Sequence, residues 1–228
     1  MVTPPYINIH SHAENPLPDE FTIRSAFPWE FETLLHKNFT NLSVGLHPWH
    51  VHRQDREELI AHVNTLAIHP NALAIGEAGL DRFAEAPLEL QMEYFIRQVQ
   101  IAEQIQKPLL IHCVRCFPEL LSVRKKLNPI NPWIIHGFNA NEQIAKEVVR
   151  SGCYLSFGTT ILKENSKLMA AFRAIPLDQI FLETDESPIN IEEIYQKAAT
   201  VRNITEEELI IAISNNFRQC FSVNNDNS

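Results

Sequence analysis

The segment ALAIGEAGLDRFAEAPLELQMEYFIRQVQIAEQIQKPLLIH, residues 72–112, decides the fold. It begins with the apolar run Ala72–Gly76 and ends with a second apolar run, Leu109–Ile111. Between them, apolar side chains recur with helical period over Leu88–Gln106, with Glu, Gln and Arg interspersed. Two short strands joined by a helix of this length form a parallel β-α-β unit.

The same alternation extends over nearly the whole chain. Eight apolar runs are candidate strands: Tyr6–Ile9, Thr22–Ala26, Leu42–Leu46, Ala72–Gly76, Leu109–Ile111, Trp133–Ile135, Cys153–Phe157 and Ile180–Leu182. Helical stretches lie at Asp55–Ala67, Leu88–Gln106, Pro118–Leu127, Glu142–Arg150, Glu164–Arg173, Ile191–Ala199 and Glu206–Arg218, the last preceded by a capping box at Thr205 and Glu208. Eight strands alternating with helices predict an α/β fold, a closed (β/α)8 TIM barrel in preference to an open doubly wound sheet.

The chain is predicted to be a single domain. No linker, repeat or low-complexity tract divides it, so the barrel is assigned to residues 1–222 and residues 223–228 are expected to form a frayed tail. The first crossover is irregular because only nine residues separate His12 from Thr22, two of them prolines. A full helix cannot fit there, and we expect a shortened first crossover.

The composition excludes several classes of protein. The 228 residues are 45% hydrophobic and 21% charged, which is ordinary for a globular domain. Six glycines allow few tight hairpins, which disfavours an all-β fold. No apolar stretch approaches the ~18 residues of a membrane span, and we expect no membrane association. The first residues show no signal-peptide pattern, and four cysteines form no disulfide framework, so a cytoplasmic protein with reduced thiols is expected.

The net charge of −9 bears on nucleic acid binding. An acidic chain is not expected to hold DNA by a broad basic surface. A nuclease remains compatible with this charge, because bound metal ions supply positive charge locally.

Side chains that can bind metals follow the ends of the predicted strands. They are His10, His12, His47, Glu77, His112, His136 and Asp185. Each alone has an ordinary explanation, such as a loop hydrogen bond or a helix N-cap. In a barrel, however, the carboxyl ends of all strands face one site. Imidazoles and carboxylates gathered there are typical ligands of divalent transition metals.

Six segments carry a resemblance to a known family. They are IHSH (9–12), VGLHP (44–48), IGEAGLD (75–81), LIHC (110–113), IHGF (135–138) and LETD (182–185). In this order they resemble the TatD-family metal-dependent hydrolases, deoxyribonuclease-like members of the amidohydrolase superfamily. The resemblance runs from about residue 6 to Phe221, which is nearly the whole chain.

The resemblance implies a site with two divalent metal ions. One ion is expected to be held by His10, His12, Asp185 and a bridging Glu77, and the other by Glu77, His112 and His136. Two such ions activate a water molecule for phosphodiester hydrolysis. Asp185 and Glu77 are the expected catalytic residues, Asp185 as a general base, and His47 and Arg115 are expected substrate contacts. Zn²⁺, Mn²⁺ and Mg²⁺ are all compatible with the donors.

The chain departs from the family pattern around the metal ligands. Asn8 stands where the family usually has aspartate, and Arg115 follows His112 by three residues where two are usual. The segment after Asp185 is short, since Glu186-Ser187-Pro188 leads directly into a helix. The metal core is thus complete, whereas the surroundings of the substrate are trimmed.

Three functions therefore stay open from the sequence. The first is a TatD-type deoxyribonuclease acting on single-stranded DNA or strand ends. The second is a hydrolase of a small-molecule ester, phosphoester or amide, and the third is a non-catalytic metal-binding barrel. No obligate protein partner is predicted.

A few further side chains have two interpretations. Trp29, Trp49 and Phe138 lie near strand ends and either stack on bases or pack in the core. Cys113 and Cys116 form a Cys-x-x-Cys pair, and we interpret them as incidental thiols more readily than as a redox or zinc motif.

Overall fold

The protein is described from a computed structural model, which covers residues 5–14, 20–163 and 166–221. Its strands are β1 (Tyr6–Ser11), β2 (Glu20–Ala26), β3 (Leu42–Val44), β4 (Ala72–Asp81), β5 (Leu109–Val114), β6 (Trp133–Ile135), β7 (Cys153–Phe157) and β8 (Ile180–Leu182). Its helices are α1 (Phe31–His36), α2 (Arg56–Leu66), α3 (Leu88–Ile105), α4 (Phe117–Leu127), α5 (Glu142–Arg150), α6 (Ser166–Ala174), α7 (Ile191–Arg202) and α8 (Glu206–Cys220). The predicted tail at residues 223–228 lies outside the described residues.

The eight strands form a TIM barrel, as predicted. They are all parallel and follow one another in sequence order around the sheet. The barrel is closed between β1 and β8 by two backbone hydrogen bonds. The amide of Asp185 donates to the carbonyl of His10 at 3.1 Å, and the amide of His12 donates to the carbonyl of Asp185 at 2.9 Å. Three of the predicted ligands are thereby held together by the backbone that closes the barrel.

Apolar side chains fill the barrel and the layer between strands and helices. Most belong to one continuous core, in which the largest fully buried side chain is Trp133. A smaller cluster contains Phe31 and Leu34 from α1 and packs against Leu42 of β3. Helix α1 was not predicted, because its six residues are too few to show a helical period. The other helices agree with the predictions to within a few residues where described, and the capping box at Thr205 and Glu208 is confirmed.

The first crossover is short, as expected. Residues 12–19 connect β1 to β2, and residues 15–19 of this connection lie outside the described residues. The described part of the connection, residues 12–14, contains no helix.

Strand β4 is longer than predicted and carries the centre of the site. We expected the strand to end at Gly76, but it stays paired with β5 as far as Asp81. A Cβ atom at Gly76 or Gly79 would collide with a backbone carbonyl of β5, so only glycine allows the two strands to approach this closely. The close approach keeps Glu77 within the barrel wall at its carboxyl end.

Long cationic side chains close helix C-termini at the opposite end of the barrel. Beyond α2, Lys107 Nζ donates to the carbonyls of Ala67, His69 and Ala72. Beyond α5, the guanidinium of Arg124 donates to the carbonyls of Ser151 and Gly152. Around the end of α6, Arg202 Nη1 donates to the carbonyls of Phe172, Arg173 and Ile175. Each cation comes from an element that neighbours the helix it closes. These contacts satisfy carbonyls that have no partner within a helix.

None of the helices in the described part of the chain is long and apolar enough to cross a membrane.

Candidate metal centre

The predicted polar side chains meet at the carboxyl end of the barrel, around the buried carboxylate of Glu77. Its Oε1 atom lies 2.7 Å from His136 Nε2, 2.9 Å from His112 Nδ1 and 3.1 Å from His47 Nε2; its Oε2 atom lies 3.5 Å from His10 Nε2 and 3.5 Å from His12 Nε2. Asp185 joins the cluster through Oδ1, which is 3.5 Å from His10 Nε2 and 3.9 Å from His12 Nε2. Five imidazoles and two carboxylates, drawn from six strands and the segments after them, thus share one site.

The donor atoms of this cluster fit a metal ion. Three groups have ligand atoms within 4.8 Å of one another: His10, His12 and Glu77; His10, His136 and Asp185; His47, Glu77 and His112. His10 is fully buried, and within the described residues neither of its ring nitrogens has a hydrogen-bond partner. A buried imidazole without such partners is costly unless a cation binds it.

The carboxylates of the cluster are ionised. Burial raises the pKa of Glu77, but the surrounding imidazoles, His136 foremost, outweigh burial and hold the pKa well below its ordinary value. Burial also raises the pKa of Asp185, and the contact with His10 outweighs it, so that the pKa is again lowered. Both groups can therefore act as anionic metal ligands at neutral pH.

Asp81 orients His112, a contact that sequence reasoning missed. Its Oδ2 atom is 3.1 Å from His112 Nε2 and accepts a hydrogen bond of 2.7 Å from Trp49 Nε1, while Oδ1 accepts from the amide of Phe83 at 2.8 Å. Burial raises the pKa of Asp81, but these hydrogen bonds outweigh it and lower the pKa to about 2. The contact leaves His112 Nδ1 facing Glu77. The position of Asp81 in the GLD segment was the available signal, but the indole partner was not foreseeable.

Glu183 has a comparable place behind His136, and its role was also missed. Its side chain is fully buried, and Oε1 accepts from the amide of Gly137 at 2.6 Å and lies 3.5 Å from His136 Nδ1. Carboxylates placed behind metal-binding imidazoles fix the ring orientation and raise the basicity of the ring.

The contacts of His47 indicate which of its ring nitrogens carries the proton. Its Nδ1 atom accepts a hydrogen bond from the amide of Trp49 at 3.1 Å, so the proton of the neutral ring lies on Nε2. Burial lowers the pKa of His47, which keeps the ring neutral. The side chain therefore presents an N–H donor to Glu77 and to the site, and Nε2 would bind a metal only if this proton moved to Nδ1, at the cost of the hydrogen bond from Trp49.

Arg115 lies away from the cluster. Its side chain is exposed, with the guanidinium 5.0 Å over the ring of Phe83. Within residues 5–14, 20–163 and 166–221 it makes no polar contact with the predicted metal ligands.

The exposure of the side chain differs among the three aromatic residues that have two interpretations. Phe138 is buried against Phe117 and Phe157, so stacking on a base is the wrong interpretation for it. Trp29 and Trp49 are 42% and 52% exposed at this end of the barrel.

The four cysteines are free thiols. Burial raises the pKa of both Cys113 and Cys116, and neither belongs to a group of possible metal ligands among the described residues. These observations favour the interpretation of incidental thiols.

A parallel barrel that gathers imidazoles and carboxylates at the carboxyl ends of its strands has the architecture of the metal-dependent hydrolases of this fold. A sequence model of the family described as TatD related DNase matches residues 28–222. The chain belongs to this family.

Individual relatives agree with this assignment. The metal-dependent hydrolase YabD of Bacillus subtilis (strain 168) is 26% identical over 203 residues, which cover 82% of this chain and 79% of YabD. The 3′-5′ ssDNA/RNA exonuclease TatD of Cronobacter turicensis is 30% identical over 172 residues, covering 71% of this chain and 62% of that protein. The solved structure of the TatD homologue YJJV from Escherichia coli K12 has the same fold, with a TM-score of 0.84 at 23% identity over 97% of this chain and 100% of that chain.

Proposed function

We propose that the protein is a deoxyribonuclease of the TatD type that hydrolyses phosphodiester bonds with two divalent metal ions. The observation that carries this proposal is the single carboxylate of Glu77 surrounded by five imidazoles at the carboxyl end of the barrel. A carboxylate with two oxygens directed at different imidazoles suits a bridge between two cations.

The residues that would hold the ions form two overlapping sets. His10, His12, Asp185 and Glu77 would hold one ion, and Glu77, His112 and His136 would hold the other. When bound, two such ions lower the pKa of a water molecule and neutralise the charge on the attacking and leaving oxygens of a phosphodiester. Zn²⁺, Mn²⁺ and Mg²⁺ all accept these donors.

The remaining chemistry is assigned to side chains of the site. The side chain of Asp185 is 45% exposed, so its carboxylate can take a proton from water and pass it to solvent. His47 Nε2–H would donate to a phosphate oxygen. Arg115, exposed beside Phe83, would contact the substrate farther from the ions.

A single-stranded nucleic acid is the proposed substrate. The relative from Cronobacter turicensis is named an exonuclease of single-stranded DNA and RNA. The half-exposed indole of Trp49 lies 6.0 Å from the ring of His112, which places an aromatic surface for a base beside the site. We propose a reducing compartment such as the cytoplasm, supported by the four free thiols.

Labelled oligonucleotides test this function. The protein loaded with Mn²⁺ is expected to shorten a single-stranded DNA, and Asp185→Asn is expected to lose this activity, since the proton acceptor is removed. A strand that stays intact while p-nitrophenyl esters or small amides are hydrolysed would identify a small-molecule hydrolase. Absence of turnover on every substrate would leave the non-catalytic metal-binding barrel.

His47 offers a prediction about one nitrogen atom. In His47→Gln the amide nitrogen can replace Nε2 as the donor, whereas in His47→Asn the shorter side chain keeps only the acceptor toward Trp49. A hydrogen bond to a charged group contributes about 1.5–3 kcal/mol, so we expect kcat/KM to fall roughly 10–100-fold in His47→Asn and less in His47→Gln. Steady-state kinetics on the DNA substrate provide the measurement, and equal losses in both variants would contradict the donor role.

A further inference from the structure

We infer that the two halves of the metal centre bind their ions with unequal strength, with the tighter ion held by the half that β5 and β6 provide. The looser ion belongs to the half that β1 provides. This inference rests on the proposed two-metal function and concerns the groups that lie behind the ligands.

Carboxylates stand behind both imidazoles of the β5–β6 half. Asp81 Oδ2 lies 3.1 Å from His112 Nε2, and Glu183 Oε1 lies 3.5 Å from His136 Nδ1. In each ring the opposite nitrogen faces Glu77. Removing a carboxylate from this position behind a metal-binding imidazole typically weakens metal binding about 10–100-fold.

A guanidinium stands behind one imidazole of the β1 half. Arg24 Nη1 lies 3.3 Å from His12 Nδ1, while His12 Nε2 faces Glu77 and Asp185. Because a guanidinium can only donate, its favourable contact with the ring requires a lone pair on Nδ1 and leaves the ring proton on Nε2. An ion that binds Nε2 moves this proton to Nδ1, against the cation. Arg24 thus opposes metal binding by His12.

Burial strengthens the effect of Arg24. Arg24 is only 8% exposed. Its guanidinium makes no ion pair within 4.0 Å in the part of the chain that the structure describes. Glu30 and Glu14 attract it from farther away. A buried charge acts through a lower effective dielectric constant than an exposed one.

Access to water differs from ligand to ligand. His10 of the β1 half is fully buried, but His12 and Asp185 of this half are 20% and 45% exposed, against 12% and 6% for His112 and His136. Water therefore reaches an ion in the β1 half from the side of His12 and Asp185, and this agrees with the argument from charge.

Titration of the full-length, chelator-treated protein with Mn²⁺ tests the inference. Calorimetry and electron paramagnetic resonance measure the binding of the ions during the titration. The wild type is expected to show two classes of site that differ in affinity by about 10-fold or more. Asp81→Asn should weaken the tight class about 10–100-fold. Arg24→Gln should tighten the loose class and leave the tight class unchanged, because a glutamine oxygen can accept from Nδ1–H. His62→Ala, a change at an exposed histidine of α2, is the matched control and should bind as the wild type does.

The metal that each variant keeps after dialysis shows which residues hold the tight ion and which hold the loose ion. This assignment stands even where one variant folds poorly. His12→Ala should keep the tight ion, and His112→Ala should lose it. Two ions of equal affinity, or a tight ion lost in His12→Ala and kept in His112→Ala, would overturn this inference and leave the proposed function standing. A wild type that binds no Mn²⁺ would overturn the proposed function as well.

Discussion

Glu77→Gln is expected to lower kcat on single-stranded DNA by about 10³-fold or more and to reduce the content of divalent ions from two per chain to at most one. The physical reason lies in the position of the carboxylate. Glu77 is the one side chain of the cluster that faces all five imidazoles, through both of its oxygens. Glutamine keeps the shape but removes the charge, and it directs an amide N–H₂ group at nitrogens that would bind a metal.

Elemental analysis and steady-state kinetics on the same preparation provide the measurement. Glu58→Gln, on the exposed face of α2, removes an equal charge outside the cluster and should leave both quantities unchanged. Circular dichroism establishes that the variant is folded. Wild-type turnover and two ions in folded Glu77→Gln would contradict the proposed centre.

Lys107→Met is expected to reduce the free energy of unfolding by about 3 kcal/mol without changing metal content. The ammonium group donates to the carbonyls of Ala67 at 2.6 Å, His69 at 3.2 Å and Ala72 at 2.6 Å. Methionine fills a similar volume but leaves these carbonyls without their donor in a partly buried place. For a chain of this size the loss corresponds to a fall in Tm of roughly 6–12 °C.

Urea unfolding followed by circular dichroism measures this effect. Lys126→Met removes an exposed lysine near the end of α4 and should change stability by no more than about 0.5 kcal/mol. Equal stability of the two variants would show that the three hydrogen bonds contribute little. A loss of metal in Lys107→Met would contradict the expectation that the hydrogen bonds at this end of the barrel act on stability and not on the metal centre at the other end.

Much of the fold was predictable because it depends on local pattern. The apolar run Trp133–Ile135 and the helix Glu142–Arg150 coincide with β6 and α5, since a buried parallel strand and an amphipathic helix have distinct periods. Strand β4 was predicted too short because Gly76 and Gly79 are typical breakers in sequence. In the barrel, the same glycines allow contact with β5, and tertiary packing overrides the local preference.

The members of the site were predictable, but their partners were not. The position of His10, Glu77 and Asp185 at strand ends is enough to bring them together once a barrel is assumed. The atoms that control each imidazole come from segments distant in sequence, such as Arg24 behind His12 at 3.3 Å. Such contacts decide which ring nitrogen of an imidazole faces the centre. The spacing of residues in a single sequence does not predict these contacts.

The cations that close helix ends at the far side of the barrel have a consequence for how its units are held together. Lys107, Arg124 and Arg202 all bind main-chain carbonyls, so these hydrogen bonds depend on the path of the backbone. The contacted residues are constrained by core packing instead, since Ala67, Ala72 and Phe172 are fully buried. Because the carbonyls belong to neighbouring units, each cation also joins one β-α unit to the next. Changes in the loops at the opposite face, where the site lies, therefore leave these connections in place.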